Sequence, residues 1–141
     1  MFILDTNVVS ELRKVRSGRA HPAVADWSRS VLPGQLFLSA ITVLELELGV
    51  LLLARRDPEQ AAPLRAWLDH AVLPTFAERV LPIDATVALR CAAMHLPYPQ
   101  SERDALIAAT ALVHGMAVVT RNRADFEATG VMLVDPWAFL G

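Results

Sequence analysis

The chain has 141 residues, 54% of them hydrophobic and 20% charged, and carries a formal net charge of -2. That composition can fill the core of one compact unit over residues 1–141 and excludes a disordered chain. The acidic balance also argues against a domain that holds nucleic acid by bulk positive charge, while leaving room for an acidic site whose sign bound metal reverses.

In chain order, Phe2, Ile3 and Leu4 predict a first strand, which runs into Asp5, Thr6 and Asn7 and then a helix over 6–13. Residues 13–22 predict a basic loop marked by glycine and proline, followed by a helix through Val24, Trp27 and Val31 that stops at Pro33 and Gly34. Residues 36–39 predict the second strand. The spacing of Leu44, Leu48, Leu51 and Leu52 predicts a helix from Ala40 to Ala54. Asp57 and Pro58 start another helix, whose stripe is Leu64, Trp67, Leu68 and Ala71. Residues 79–83 predict a third strand, placed at an edge because Pro82 lacks a donor. Asp84 caps a helix through Val87, Leu89 and Met94, residues 96–103 form a loop, and a helix over 103–114 ends at Gly115. Residues 117–120 predict a fourth strand, 123–128 a short helix and 131–134 a fifth strand. Strands alternating with helices predict an α/β fold around a mainly parallel sheet with helices on both faces.

Cys91, the only cysteine, lies on a helical apolar pattern and reads as core, so no internal disulfide is expected and a reducing cytoplasm suits the chain. No basic start precedes an apolar run at the N-terminus. Glu45, Glu47 and Arg90 interrupt the apolar stretches, so neither a secretion signal nor a membrane span is expected.

Four acids stand out by position. Asp5 and Asp125 lie past the carboxyl ends of the first and fourth strands, and would meet if those strands are neighbours. Glu45 lies in an apolar helix, where an acid is costly to bury without a partner or a metal. Asp104 lies in the first turn of the helix leading to the fourth strand. Each has a plain reading as well: Asp5 and Asp125 as caps, Asp104 as a complement to the helix dipole, Glu45 as part of a solvent stripe shared with Glu47. Gly49, one turn after Glu45, weakens the helix and suits close packing or close approach of a ligand. Glu11 and Lys14 read as a surface pair. No nucleophile elbow, P-loop, dinucleotide fingerprint or His/Cys metal spacing is present.

Taken as an ordered set, the segments LDTNVVSEL, LSAITVLELELGV, RDALIAATALVHG and VVTRNRADF resemble the PIN domain, and within it the VapC and FitB type of toxin ribonuclease. The resemblance spans nearly the whole chain and implies a PIN-like three-layer α/β/α fold with a central five-stranded sheet. It implies that Asp5, Glu45, Asp104 and Asp125 form an acidic quartet gathering Mg2+ or Mn2+, with Thr6, Asn7, Thr120 and Asn122 as supporting polar residues and Ser39 and Thr42 at the start of the second acid's helix. It further implies an RNA substrate cut to leave a 5′-phosphate and a 3′-hydroxyl, and a cognate antitoxin. A homodimer or higher hetero-oligomer follows, with operator DNA reached only through the antitoxin. Asp5 is expected to be the central ligand, Asp104 and Asp125 to bind directly or through water, and Glu45 through water. Arg13, Lys14, Arg103 and Arg121 are candidate phosphate contacts, with ordinary solvated surface as the alternative. The segment MHLPYPQSER departs from the pattern by being rich in proline where relatives carry a helical arm, and Glu102 adds an acid without an assigned role.

Two rival readings remain. An aspartyl-phosphate phosphotransferase also places Asp after the first strand, but it needs a lysine at the site, and Lys14 is the only one in this chain. A binding-only subunit of a toxin–antitoxin repressor would not need the acids. The apolar surplus at Leu51, Leu52, Leu53, Trp67 and Leu68 is expected to seat a partner helix or a second protomer.

Overall fold

The computed structural model describes residues Met1–Gly141. Strands β1 (Phe2–Leu4), β2 (Leu36–Ser39), β3 (Val80–Leu81), β4 (Ala117–Val119) and β5 (Leu133–Val134) form one sheet in the order β3-β2-β1-β4-β5. Every strand pair is parallel, so the sheet is entirely, rather than mainly, parallel. The chain lays down β1, β2 and β3 toward one edge, then returns to add β4 on the free side of β1. The carboxyl ends of β1 and β4 therefore flank the point where strand order reverses, the usual place for a site in such sheets. β3 lies at an edge, where Pro82 disrupts no ladder.

Short strands can hold this arrangement because their side chains alternate between two buried faces. Leu4, Leu38 and Val119 face one side, where they pack with Val8 and Val9 of α1 (Thr6–Leu12), Trp27 of α2 (Pro22–Ser30) and Leu46 and Val50 of α3 (Ala40–Arg56). Ile3 and Val118 face the opposite side, against Ile107, Ala108 and Ala111 of α7 (Glu102–His114) and against Phe126. Val87 and Cys91 of α6 (Ala85–Met94) then pack on Ala105 and Ala109 of α7. The result is three layers, and the alanines of α7 let α6 approach closely. Cys91 is buried as expected, and burial raises its thiol pKa, with repulsion from Glu102 adding to it.

Helix starts follow side-chain caps. Ser39 accepts from Ile41 N–H, Asp57 from Gln60 N–H and Asp84 from Val87 N–H. α7 ends on Gly115 with φ 67°, a left-handed turn that glycine adopts without strain. α4 (Pro58–Trp67) tolerates Pro63 and continues through a π turn at Leu68–Val72 into the single turn α5 (Leu73–Thr75). Leu68, expected on the partner-seating surface, is instead fully buried together with Val72, whereas Leu51 and Leu52 are exposed. The expected helix over 123–128 is two 3-10 turns, Arg123–Asp125 and Glu127–Thr129, and β5 is shorter than the 131–134 read from sequence. No helix is long and apolar enough to cross a membrane.

Candidate active site

The centre of the site is Asp5, at the carboxyl end of β1. Its side chain caps α1 by accepting Thr6 N–H at 2.8 Å, so capping and a place in the acidic site are one arrangement rather than alternatives. The second oxygen, Oδ2, accepts from the Thr120 hydroxyl at 2.7 Å and from the Asn7 amide at 3.0 Å. Thr120 follows β4, and its bond to Asp5 ties the two strands together at the point of reversal. Asp5 is only 6% exposed. Burial raises its pKa, the bonds from Thr120, Thr6 and Asn7 oppose that rise, and the nearby Glu45 carboxylate adds to it.

The polar residues around Asp5 are themselves held in place. The Thr120 hydroxyl accepts Asn122 N–H at 3.0 Å, and Asn7 Oδ1 accepts Arg121 N–H at 3.3 Å. Asn122 thus takes part through its backbone, with no capping bond from its side chain. Ser39 and Thr42 are buried, and the Thr42 hydroxyl reaches Leu4 O at 3.5 Å, joining α3 to β1. Thr120→Val would remove both a donor to a buried carboxylate and an acceptor for Asn122. It is expected to lower stability by about 1–3 kcal/mol, the cost of leaving such groups unpaired, as read by urea denaturation.

The remaining acids come from three other elements. Glu45 of α3 accepts from the Thr6 hydroxyl at 2.8 Å and lies 3.7 Å from the Arg103 guanidinium. Glu47, two positions on, points elsewhere and forms a two-pronged pair with Arg65. Asp104 occupies the first turn of α7 and is partly buried; Asp125 ends an exposed 3-10 turn whose next residue, Phe126, is fully buried. Asp104 senses the whole set. Its pKa is raised to about 6, first by burial, then by the charges of Asp5 and Asp125, with Glu45 contributing. Asp5, Asp125 and Glu45 thus all act on Asp104, while the charge of Glu102 acts on Cys91. The donors of the four sequence-selected acids are oxygens only, the kind that a hard divalent cation prefers, and their mutual repulsion is what such a cation would relieve. No three of the His, Cys, Asp and Glu side chains are gathered into a ligand set by the fold itself.

The candidate phosphate contacts each have a protein partner. Arg13 lies over the Trp67 ring at 5.7 Å, Arg121 over Trp137 at 5.2 Å, Lys14 pairs with Glu11 at 3.0 Å, and Arg103 faces Glu45. Neither pair is close along the chain, so nothing local marks the two tryptophans as partners of these cations. The Phe126 anchor had one available signal, a lone aromatic directly after the last acid.

A family model described as PIN domain matches residues 2–131. The chain is 39% identical to VapC ribonuclease Y4jK of Sinorhizobium fredii over 142 residues, covering 97% of this chain and 98% of that protein. Among solved structures, FitAB bound to an IR36 DNA fragment superposes with a TM-score of 0.86 at 35% identity, covering 100% of this chain and 99% of the other. A toxin–antitoxin complex from Klebsiella pneumoniae superposes with a TM-score of 0.66 at 29% identity, covering 96% and 98%.

Proposed function

This chain belongs to the PIN domain family, and from that premise we propose that it is a toxin endoribonuclease that hydrolyses RNA phosphodiester bonds and is inhibited by a cognate antitoxin. The observation that carries the proposal is the placing of Asp5 where strand order reverses, with both oxygens held by Thr6, Asn7 and Thr120 and with Glu45 bonded to the same Thr6. Residues 1–141 act as one catalytic unit in the cytoplasm, where the RNA is. A homodimer or higher hetero-oligomer with the antitoxin is the working assembly, and operator DNA is reached through the antitoxin. One structural relative is a toxin–antitoxin complex and another is bound to a DNA fragment, and both support that reading.

Asp5, Asp104, Asp125 and Glu45 would hold Mg2+ or Mn2+. When bound, such a cation polarises the phosphate and lowers the pKa of the attacking water. The chain's own part is positional. Thr6, Asn7 and Thr120 fix both oxygens of Asp5, and the Thr6 hydroxyl orients Glu45 toward the same region. Arg103, beside Glu45, and Arg121, whose backbone bonds Asn7, would receive phosphate oxygens. The aspartyl-phosphate reading loses ground here, because the side chains and backbone that bond Asp5 are those of Thr6, Asn7 and Thr120, with no lysine among them. A binding-only role has no use for acids that raise the cost of ionising one another, as Asp5, Asp125 and Glu45 do at Asp104.

Asp104→Asn tests the proposal. Between the usual carboxylate value of 3.8 and the folded value of about 6, the native state binds more protons than the unfolded chain, so Asp104 costs stability as pH rises through that window. The variant is expected to melt at a higher temperature than the parent near pH 7, with the difference vanishing by about pH 4. It is expected to lose RNA cleavage by about 100-fold or more, and its melting temperature should respond less to added Mg2+ than the parent's. Retained cleavage, with an equal response to Mg2+, would remove the acids from the chemistry. Calorimetry across pH and a labelled-RNA assay supply both readings.

A further inference from the structure

A groove of about 350 Å3 opens beside the acids and shares Thr6 and Glu45 with them; Arg13, Lys14, Gly49 and Trp67 are among the residues that line the rest of it. Arg13 and Lys14 also line an adjoining hollow of about 400 Å3 together with Ser17 and Arg19, so the path away from the acids becomes basic. Trp67 is partly exposed, and the Arg13 guanidinium over its ring fixes the indole as a flat wall.

Gly49 supplies an independent clue. It sits inside α3, where glycine costs helix stability, yet a Cβ there would meet nothing within 4 Å. Close packing against another element therefore does not explain it. What the missing side chain keeps open is the groove itself.

We propose that this groove seats one nucleotide of single-stranded RNA next to the scissile phosphate, with its base stacked on the Trp67–Arg13 wall and the adjoining phosphate at Arg13 and Lys14. Gly49 is the position that sets how large a base fits. The inference rests on the ribonuclease reading and extends it to a specificity subsite. A nucleotide brings a flat ring and an anion in a single unit, which matches an aromatic wall flanked by cations and continuous with the acidic centre. The Lys14 side chain is half exposed, and a single surface pair of this kind holds it weakly enough for a phosphate to compete.

The test uses a single-stranded RNA with one abasic nucleotide moved stepwise along it. Binding to full-length Asp5→Asn is followed by fluorescence anisotropy, and cleavage by the chain with Asp5 intact. Trp67→Ala is expected to weaken binding and raise KM by about 10- to 100-fold, with kcat changed less than about 2-fold, and Trp67→Phe to recover most of the loss. One abasic position should produce the same loss on the parent and no further loss on Trp67→Ala. Gly49→Leu, on an exposed position that does not endanger folding, should reproduce the defect with Trp67 in place. Equal sensitivity of the parent and Trp67→Ala to every abasic position would overturn the proposal. So would a Trp67→Ala defect confined to antitoxin binding, which would assign the groove to the protein partner. An intact chain that cuts no RNA, yet binds it in a Trp67-dependent way, would sink the ribonuclease reading and leave the subsite standing.

Discussion

Asp5→Asn is expected to reduce RNA cleavage by at least about 1,000-fold, a loss of about 4 kcal/mol in transition-state stabilisation. The substitution keeps shape and removes charge at the one acid that the fold buries and bonds on both oxygens. An asparagine amide has a single acceptor oxygen, whereas Thr6 N–H, the Asn7 amide and the Thr120 hydroxyl all present donors to this side chain. Part of the set is therefore left mismatched, and a cation would lose its central ligand. Stability moves much less. The raised pKa of Asp5 means that its ionised form already costs the native state something as pH rises above the usual carboxylate range, and removing the charge offsets the lost bonds. Antitoxin binding should be unchanged, because Asp5 offers almost no surface to a partner. The decisive measurement pairs single-turnover cleavage with calorimetric titration of the antitoxin. Cleavage near the parent rate in a folded variant would refute the central role of Asp5.

Phe126→Ala should destabilise the chain by about 3–5 kcal/mol, a large share of the 5–15 kcal/mol that folded domains typically possess. Phe126 is fully buried against the sheet face that carries Ile3 and Val118, and also packs with Ile107 and Val131. It is the largest of the fully buried side chains. Its removal leaves a cavity in a layer shared with Ile3, Ile107, Val118 and Val131, whose branched side chains are held by the sheet and α7 and can close it only in part. The second effect is local. Asp125 sits one residue earlier, in a 3-10 turn with no buried residue of its own, so Phe126 is what fixes that acid. Cleavage should therefore fall even at temperatures where the variant remains folded, and Phe126→Leu should restore most of both properties. Urea denaturation and cleavage at low temperature separate the two effects, and full activity per folded molecule in Phe126→Ala would show that Asp125 needs no anchor.

Much of this architecture was legible because local chemistry and the final fold agree. Asp84 is a cap in the sequence pattern and a cap in the structure, Asp57 starts α4 as expected, Gly115 ends α7, and Pro82 marks an edge. The four acids were legible as an ordered set. What escaped was whatever depends on strand order. Nothing local in Thr120 says that its hydroxyl will bond a carboxylate on β1, since that requires β4 beside β1. Leu68 misled for a related reason. Its apolar stripe reads the same whether it faces a core or a partner, and only the path of the π turn and α5 over the sheet decides that it is covered. Residues 123–128 lack room for a regular helix before Gly130 turns the chain, and the buried ring of Phe126 fixes the path instead.

The bond between Thr120 and Asp5 joins residues 115 positions apart. A ribosome adding about 5–20 residues per second needs on the order of ten seconds to make that interval. Until β4 emerges and inserts beside β1, the first acid is already synthesised but lacks the second of its strand neighbours and the hydroxyl of Thr120. The chain is thus born unarmed, and its capacity to damage RNA arrives only with its last quarter. A partner already present in the cell has the whole of that delay in which to meet it.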